Sequence, residues 1–379
     1  ALRLRPSFPE AHNNLGVTLA DAHRVDDAIG AFRRSLALLA DQPHTHRKLA
    51  SLLLMNGDFA EGWREFEWCW KGPDAAGKEF RQPRWDGSDL AGRTILLHAE
   101  QGLGDTIQFV RYAPLVKRRG GRVILQCQPP LVPLLSRCEG IDRLIAAGQP
   151  PGEFNVHAPL MSLPCVLRDE VPSVVGEVPY ISADPELVAH WRGRLSELHG
   201  LKIGIAWQGS KTYVNDANRS IALAHFAPLA AIEGVQLISL QKDPENCGLA
   251  VGIRANSVTP PLTTHHSPIP RPDHSPFQVV TFDAFDEAAG AFMDTAAIME
   301  CLDLIVTSDS AVPHLAGALG RPVWVALCRA SDWRWMRDRD DTPWYPTMRL
   351  FRQRAWGAWD EVFERIAAAI RGRPRVPAT

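Results

Sequence analysis

The chain has almost no excess charge of either sign. Across 379 residues, 41 Lys and Arg stand against 43 Asp and Glu, a formal net of −2. Such a balance leaves no broad basic footprint, which argues against nucleic acid as the main partner. Long apolar runs are also missing, and none reaches the length of a membrane span. Cysteine is sparse and unpatterned. Cys69, Cys127, Cys138, Cys165, Cys247, Cys301 and Cys328 include no Cys-x-x-Cys pair, and their number is odd. That speaks against a disulfide framework or a zinc site and fits a reducing, cytoplasmic location. No signal peptide is visible. Ala1 falls inside a repeat, so the sequence reads as a fragment, with an upstream targeting segment left open.

What is present is the composition of a globular chain, 45% hydrophobic and 22% charged, long enough for two or three domains. Residues 1–72 repeat with a period of 34: Pro9 matches Pro43, Leu15 matches Leu49, Gly16 matches Ala50, Leu19 matches Leu53, Val25 matches Phe59, Ala28 matches Gly62 and Phe32 matches Phe66. The period and the small-residue positions match the tetratricopeptide helix–turn–helix unit, truncated at its start. Small residues let paired helices approach; large ones fill the space between them. About two repeats are too few to stand alone. Trp63, Phe66, Trp68 and Trp70 in the last helix are therefore expected to pack on the next domain rather than to form a sugar platform.

Residues 73–92 read as a linker rich in Gly, Pro and charge, pinned by Trp85. Strand–helix alternation follows, with strands expected at 94–98, 122–127 and 142–146 and helices at 105–118, 130–137 and 185–198. A second alternating domain spans 200–357, with strands at 202–207, 235–240, 278–282, 303–307 and 322–327 and helices at 293–301 and 310–319. A last helix covers 358–371. Cys247 to Gln278 is crowded with Pro, His, Ser and Thr and reads as a long loop. His265, His266 and His274 lie in it, but no carboxylate or Cys stands at ligand spacing, so no metal site is expected.

The chain turns on Ile95 to Phe109. Ile95-Leu96-Leu97 is an apolar run suited to a buried parallel strand. Gly102 and Gly104 break it, and Asp105 with Gln108 three residues on makes an acceptable capping box. This strand–glycine loop–helix places polar groups at a strand's carboxyl end, where open α/β sheets bind ligands. Gly102-Leu103-Gly104-Asp105 resembles the amino-terminal signature of the heptosyltransferase-like glycosyltransferases of family nine. Gly152 to Pro164 resembles a further motif of that family, a strand running into a substrate-facing loop. The resemblance implies an α/β GT-B fold, two Rossmann-like domains, here preceded by an all-α tetratricopeptide segment.

It also implies roles. In the heptosyltransferases the Asp of the first motif takes the proton of the acceptor hydroxyl, which makes Asp105 the candidate base; Glu100 and His98 on the same loop are runners-up. Asp105 is equally suited to cap a helix. Gln101, Gly102, Leu103, Gly104 and His157 form the acceptor side. On the other domain, Leu304-Ile305-Val306 runs into Ser308, Asp309, Ser310 and Ala311, with Pro313 in the first helical turn and His314 beyond it. A helix start of this kind is an anion site, and in the family it receives the donor's diphosphate; the same residues also suit a plain helix cap. Ala206 to Lys211 resembles the family's phosphate and sugar loop. Gly209 permits close approach, Ser210 lies beside it, and Lys211 or Arg219 is suited to neutralise a leaving diphosphate. Gln241 and Lys242 lie where related enzymes contact the nucleoside. Trp333, after the last strand, is suited to stack on a base or sugar, or simply to pack its loop.

The implied reaction is transfer of a sugar from a nucleotide-sugar co-substrate to an acceptor hydroxyl, inverting and without a metal or other cofactor. The lack of an Asp-x-Asp metal motif in a suitable loop agrees. The repeats imply a protein or peptide partner, by analogy a flagellin-type or other surface protein as acceptor. Two other classes remain: a GT-B and tetratricopeptide binding module without activity, and a nucleotide-sugar epimerase. Ser308-Asp309-Ser310 in place of the family's more usual Asp-Thr keeps the first in view.

Overall fold

The computed structural model describes residues 2–71, 80–167, 178–213, 215–242, 277–282 and 284–373. The three histidines at 265, 266 and 274, nearly all of the expected 247–278 loop and part of the expected linker lie outside them. In chain order come α1 (Pro9–Asp21), α2 (Val25–Leu38), α3 (Pro43–Asn56) and α4 (Phe59–Phe66), then β1 (Thr94–His98), α5 (Leu103–Phe109), α6 (Ala113–Lys117), β2 (Arg122–Cys127), α7 (Val132–Leu135), β3 (Arg143–Ala146), β4 (Val156–Pro159) and α8 (Leu163–Val166). Then follow α9 (Pro185–Leu195), β5 (Leu201–Ala206), α10 (Asp216–Arg219), α11 (Ala227–Ala230), β6 (Val235–Ser239), α12 (Met293–Glu300), β7 (Leu304–Ser308), α13 (Ala311–Ala318), β8 (Val323–Leu327), β9 (Met348–Arg352) and α14 (Trp359–Arg371). No described helix is long and apolar enough to cross a membrane.

The chain divides into two compact units. The first comprises residues 1–129, 139–177 and 330–344; the second comprises 130–138, 178–329 and 345–379. In the first unit the four leading helices pair through small residues. A carbon added at Gly16 would meet the Phe32 ring at 2.6 Å, and one at Gly62 would meet Leu54 at 2.8 Å. Trp63 meets Phe109 of α5 edge-on at 5.7 Å, and Trp70 donates to Ser162 Oγ at 3.0 Å, so both aromatics bind the helices to the sheet portion of this unit. Trp68 instead stacks on His46 at 3.8 Å, inside the helical segment.

The first sheet is all parallel, in the order β3-β2-β1-β4. Ile95, Leu96 and Leu97 are fully buried, as a strand covered on both faces requires. Trp85 is buried and its amide donates to His157 O, which pins the chain to β4. The second sheet is also all parallel, in the order β6-β5-β7-β8-β9. Its core gathers Ile203, Ile205, Val306, Phe226 and the inward face of α14, Val362, Phe363 and Ile366. Each such side chain contributes about 1.5–3 kcal/mol by leaving water.

Three expectations change and one strand is added. The 105–118 helix is broken by a 3-10 turn at Val110–Tyr112 and begins at Leu103, so Gly102, not Asp105, is its cap residue. The 130–137 helix shortens to α7 after a 3-10 turn at Pro129–Leu131, where consecutive prolines withhold amide donors. The strand expected at 278–282 reduces to one bridge, Ile238 to Val280, although Val279 and Phe282 are buried. β9 is a strand that no expectation covered.

Spacing at the helix pairs gives a direct test. Gly16→Val should lower the unfolding free energy by about 1–3 kcal/mol through overpacking. Gly30→Ala, where nothing lies within 4 Å of the added carbon, should raise it by about 0.5–1 kcal/mol. Urea titrations read both, and effects of the same sign would contradict this packing.

Candidate functional site

In each sheet the strand order reverses beside its first strand, between β1 and β4 in one unit and between β5 and β7 in the other. Loops leaving such a point diverge and open a crevice at the carboxyl ends of the strands. Most of the expected site residues lie on the loops at these two mouths.

At the first mouth, His98 ends β1 and His157 lies on β4. Their rings meet at 3.2 Å between Nε2 and Nδ1, both buried, with Phe80 tilted across both. Burial, helped by Arg84, holds the His157 pKa below its ordinary value. Glu100 follows on the same loop and accepts from the amides of Leu160 and Met161, at 3.2 and 2.8 Å. Burial outweighs those bonds and pushes its pKa up to about 8, with the Asp105 charge adding to the rise. Gln128 Nε2 donates to Gln101 O at 2.7 Å and fixes the loop before α5.

Asp105 is the third residue of α5 and accepts from the amide of Gly102 at 2.8 Å. Its other oxygen accepts from Arg334. Arg334 also donates from Nε to Gln108 Oε1 and from Nη1 to Asp332, both at 2.8 Å. Both oxygens of the candidate base are thus already acceptors, which sequence reasoning had not foreseen. Trp333 shows the packing that was the second of its two expected roles. It belongs to the first unit, is buried, meets Trp63 edge-on at 5.3 Å and carries the Arg334 guanidinium at 4.2 Å. It packs its loop within the first unit.

At the second mouth, β7 ends in Ser308 and Ser310 caps α13, its Oγ accepting from Val312 N at 3.3 Å. The first amides of α13 and its positive end face the strand's carboxyl edge. Two buried donors here lack partners among the described residues: Ser308 Oγ and, just past the end of β5, Trp207 Nε1. Arg219 joins the two loops, donating to Asp309 O at 3.0 Å and Ser210 O at 3.3 Å and pairing with Asp216 at 3.1 Å. A side chain at Gly209 would meet the Arg219 guanidinium at 2.6 Å and displace it. Arg219 is therefore a strut whose charge Asp216 balances, which leaves Lys211, exposed on the same loop, as the freer cation. Gln241 Oε1 accepts from the amides of Trp207 and Gln208 and braces that loop, with Lys242 exposed beyond it. His314 lies buried in α13 and bonds Tyr345 at 3.0 Å. No cluster of potential metal ligands occurs among the described residues.

No family model matches the chain. Protein FlbA of Caulobacter vibrioides is 26% identical over 395 residues, an alignment covering 98% of this chain. The chain spans 63% of the length of that relative. Among solved structures it is similar to the glycosyl transferase family 9 of Veillonella parvula, at TM-score 0.49 and 10% identity over 77% of this chain and 92% of that one. It is similar also to the ADP-heptose lps heptosyltransferase II of E. coli, at TM-score 0.46 and 10% identity over 73% and 99%. At such values these likenesses decide neither site nor substrate.

The raised Glu100 pKa has a stability consequence. Unfolded, Glu100 ionises near 4.5; folded, it keeps its proton to about 8. The folded state therefore binds more protons between these values, and the contribution is full below pH 4.5 and lost as pH rises through 8. Glu100→Gln, measured by urea titration from pH 5 to 8, should show a smaller fall of stability with pH than the parent chain. Identical slopes would mean that Glu100 is ionised in the fold.

Proposed function

We propose that the chain is a glycosyltransferase of the GT-B kind, moving a sugar from a nucleotide-sugar donor to an acceptor hydroxyl. The observation that carries the reading is the second mouth, where a capped helix start, two unpartnered buried donors and an exposed lysine converge beside a strand reversal. A diphosphate would take its hydrogen bonds from Ser308 and the α13 amides and its countercharge from Lys211. Diphosphate leaves as the acceptor oxygen attacks the anomeric carbon from the opposite side, which inverts that carbon. The resemblances at Gly102-Leu103-Gly104-Asp105, Gly152 to Pro164 and Ala206 to Lys211 support it, followed in chain order by the helix start at Ser308 to Ala311.

The acceptor proton goes to a carboxylate of the first mouth. Glu100 holds its own proton up to about pH 8 and cannot take another near neutrality. Asp105 keeps lone pairs beyond those given to Gly102 and Arg334, and is the base in this reading. The 34-residue period of residues 1–72 supports a tetratricopeptide segment that holds a protein or peptide acceptor. One observation favours the inactive binding module instead: Arg334 already occupies the carboxylate that chemistry needs.

Two variants separate these readings. Ser310→Glu sets a negative charge against the phosphates and should weaken nucleoside diphosphate binding at least about tenfold, about 1.4 kcal/mol, in calorimetry. Unchanged affinity in a folded variant would remove α13 from the site. Asp105→Asn should lower release of nucleoside diphosphate from a nucleotide sugar, over an acceptor panel, by about a hundred- to ten-thousand-fold while nucleotide affinity holds. Its melting temperature should also fall, because Arg334 loses a buried partner. Transfer that survives Asp105→Asn would shift the base to His98, and no transfer by the parent chain over the same panel would favour the binding module.

A further inference from the structure

The loop after β5 carries an exposed aromatic ring beside the mouth assigned to the donor. Tyr213 is 46% exposed, one of the few large rings left open to solvent among the described residues. Its backbone is set by two bonds: the Tyr213 amide donates to Ser210 O at 3.1 Å, and Tyr213 O accepts from Asp216 N at 3.0 Å. The ring is set by Arg219, whose guanidinium carbon lies 4.2 Å from its centroid. A cation placed over a ring in this way restrains it.

Arg219 makes the ring's position informative. The same guanidinium donates at 3.0 Å to Asp309 O, one residue before the cap of α13. Ring and helix start are therefore one guanidinium apart, within the second unit. A nucleoside diphosphate has the matching layout, with its charged phosphates a ribose away from a flat aromatic base. Phosphates at α13 leave the base to be received nearby, and an exposed ring already oriented by its neighbours offers a flat surface at low ordering cost. The loop's other aromatic residue, Trp207, is buried, and Gln208, Gly209, Ser210, Lys211 and Thr212 offer no ring.

We propose that Tyr213 is a specificity-determining residue of the donor site, stacking on the nucleobase of a nucleoside diphosphate while Arg219 holds the ring in place. The proposal rests on the donor-site reading above. Base–aromatic stacking, read by alanine substitution, contributes enough to predict about a tenfold effect on affinity.

The test compares a purine nucleoside diphosphate, a pyrimidine nucleoside diphosphate and inorganic pyrophosphate by calorimetry on the full chain. Four proteins are used: the parent, Tyr213→Phe, Tyr213→Ala and Trp356→Ala. Trp356 is the comparison because it is also exposed, at 55%, but follows β9, the far edge strand from the β5–β7 reversal. Tyr213→Phe should bind all three ligands as the parent does. Tyr213→Ala should lose about tenfold for the nucleotides, most for the purine, and nothing for pyrophosphate. Trp356→Ala should change nothing. Equal loss for pyrophosphate and nucleotides in Tyr213→Ala would show that the ring only supports Arg219, and would overturn the proposal. No loss for any ligand, or the loss appearing in Trp356→Ala, would overturn it too. Pyrophosphate binding by the parent upholds the anion site whatever Tyr213 does; a parent that binds none of the three ends both readings.

Discussion

The first unit depends on a buried guanidinium. Arg334 is 7% exposed and satisfies its donors on Asp105, Gln108 and Asp332 while lying over the Trp333 ring. A charge taken out of water needs such partners, and removing one leaves the remainder costly. Its position in the chain gives the interaction its reach. The chain leaves the second unit after Arg329, runs through the first unit to Trp344 and then returns to form β9. The segment that bears Arg334 is thus fastened to α5, and through Trp333 and Trp63 to the leading helices. Trp344 completes the fastening by donating from its ring to Arg334 O at 2.8 Å.

Topology explains why polar residues gather where they do. A parallel sheet buried on both faces can expose functional groups only at its ends, and a strand reversal opens one end into a crevice. Each unit has one such reversal. The first collects His98, Glu100, Asp105 and His157, and burial raises the pKa of Glu100 and lowers that of His157. The second collects amides, hydroxyls and Lys211, groups suited to hold an anion rather than to move a proton.

Local chemistry was readable from the residues, and long-range pairing was not. Apolar runs bounded by turn residues placed β1 and β2 at their observed limits, and Ser310 before an apolar run marked its helix start. β9 carries two arginines in five residues and no regular alternation beside a loop dense in Trp, Asp and Arg, and its partner β8 alone defines it. Asp105 suits a helix cap as well as a base, but the glycine three residues earlier takes the cap position and Asp105 bonds back to it. Its pairing with Arg334 spans 229 residues, a separation over which no local pattern carries information. Trp333 was weighed as a ligand platform or as packing, and the neighbouring Trp63 decides for packing.

Hydrogen exchange of the full chain, with and without a saturating nucleoside diphosphate, tests the central claim most directly, because it reports on each mouth separately without altering a residue. Amides in residues 207–213 and 309–313 should exchange more slowly with the ligand, as they do when a phosphate takes up the free donors of a helix start. Amides in residues 99–105 should be unchanged by the nucleotide alone. Protection confined to 99–105, or none in either segment at a concentration that saturates binding, would contradict the placement of the donor on the second unit.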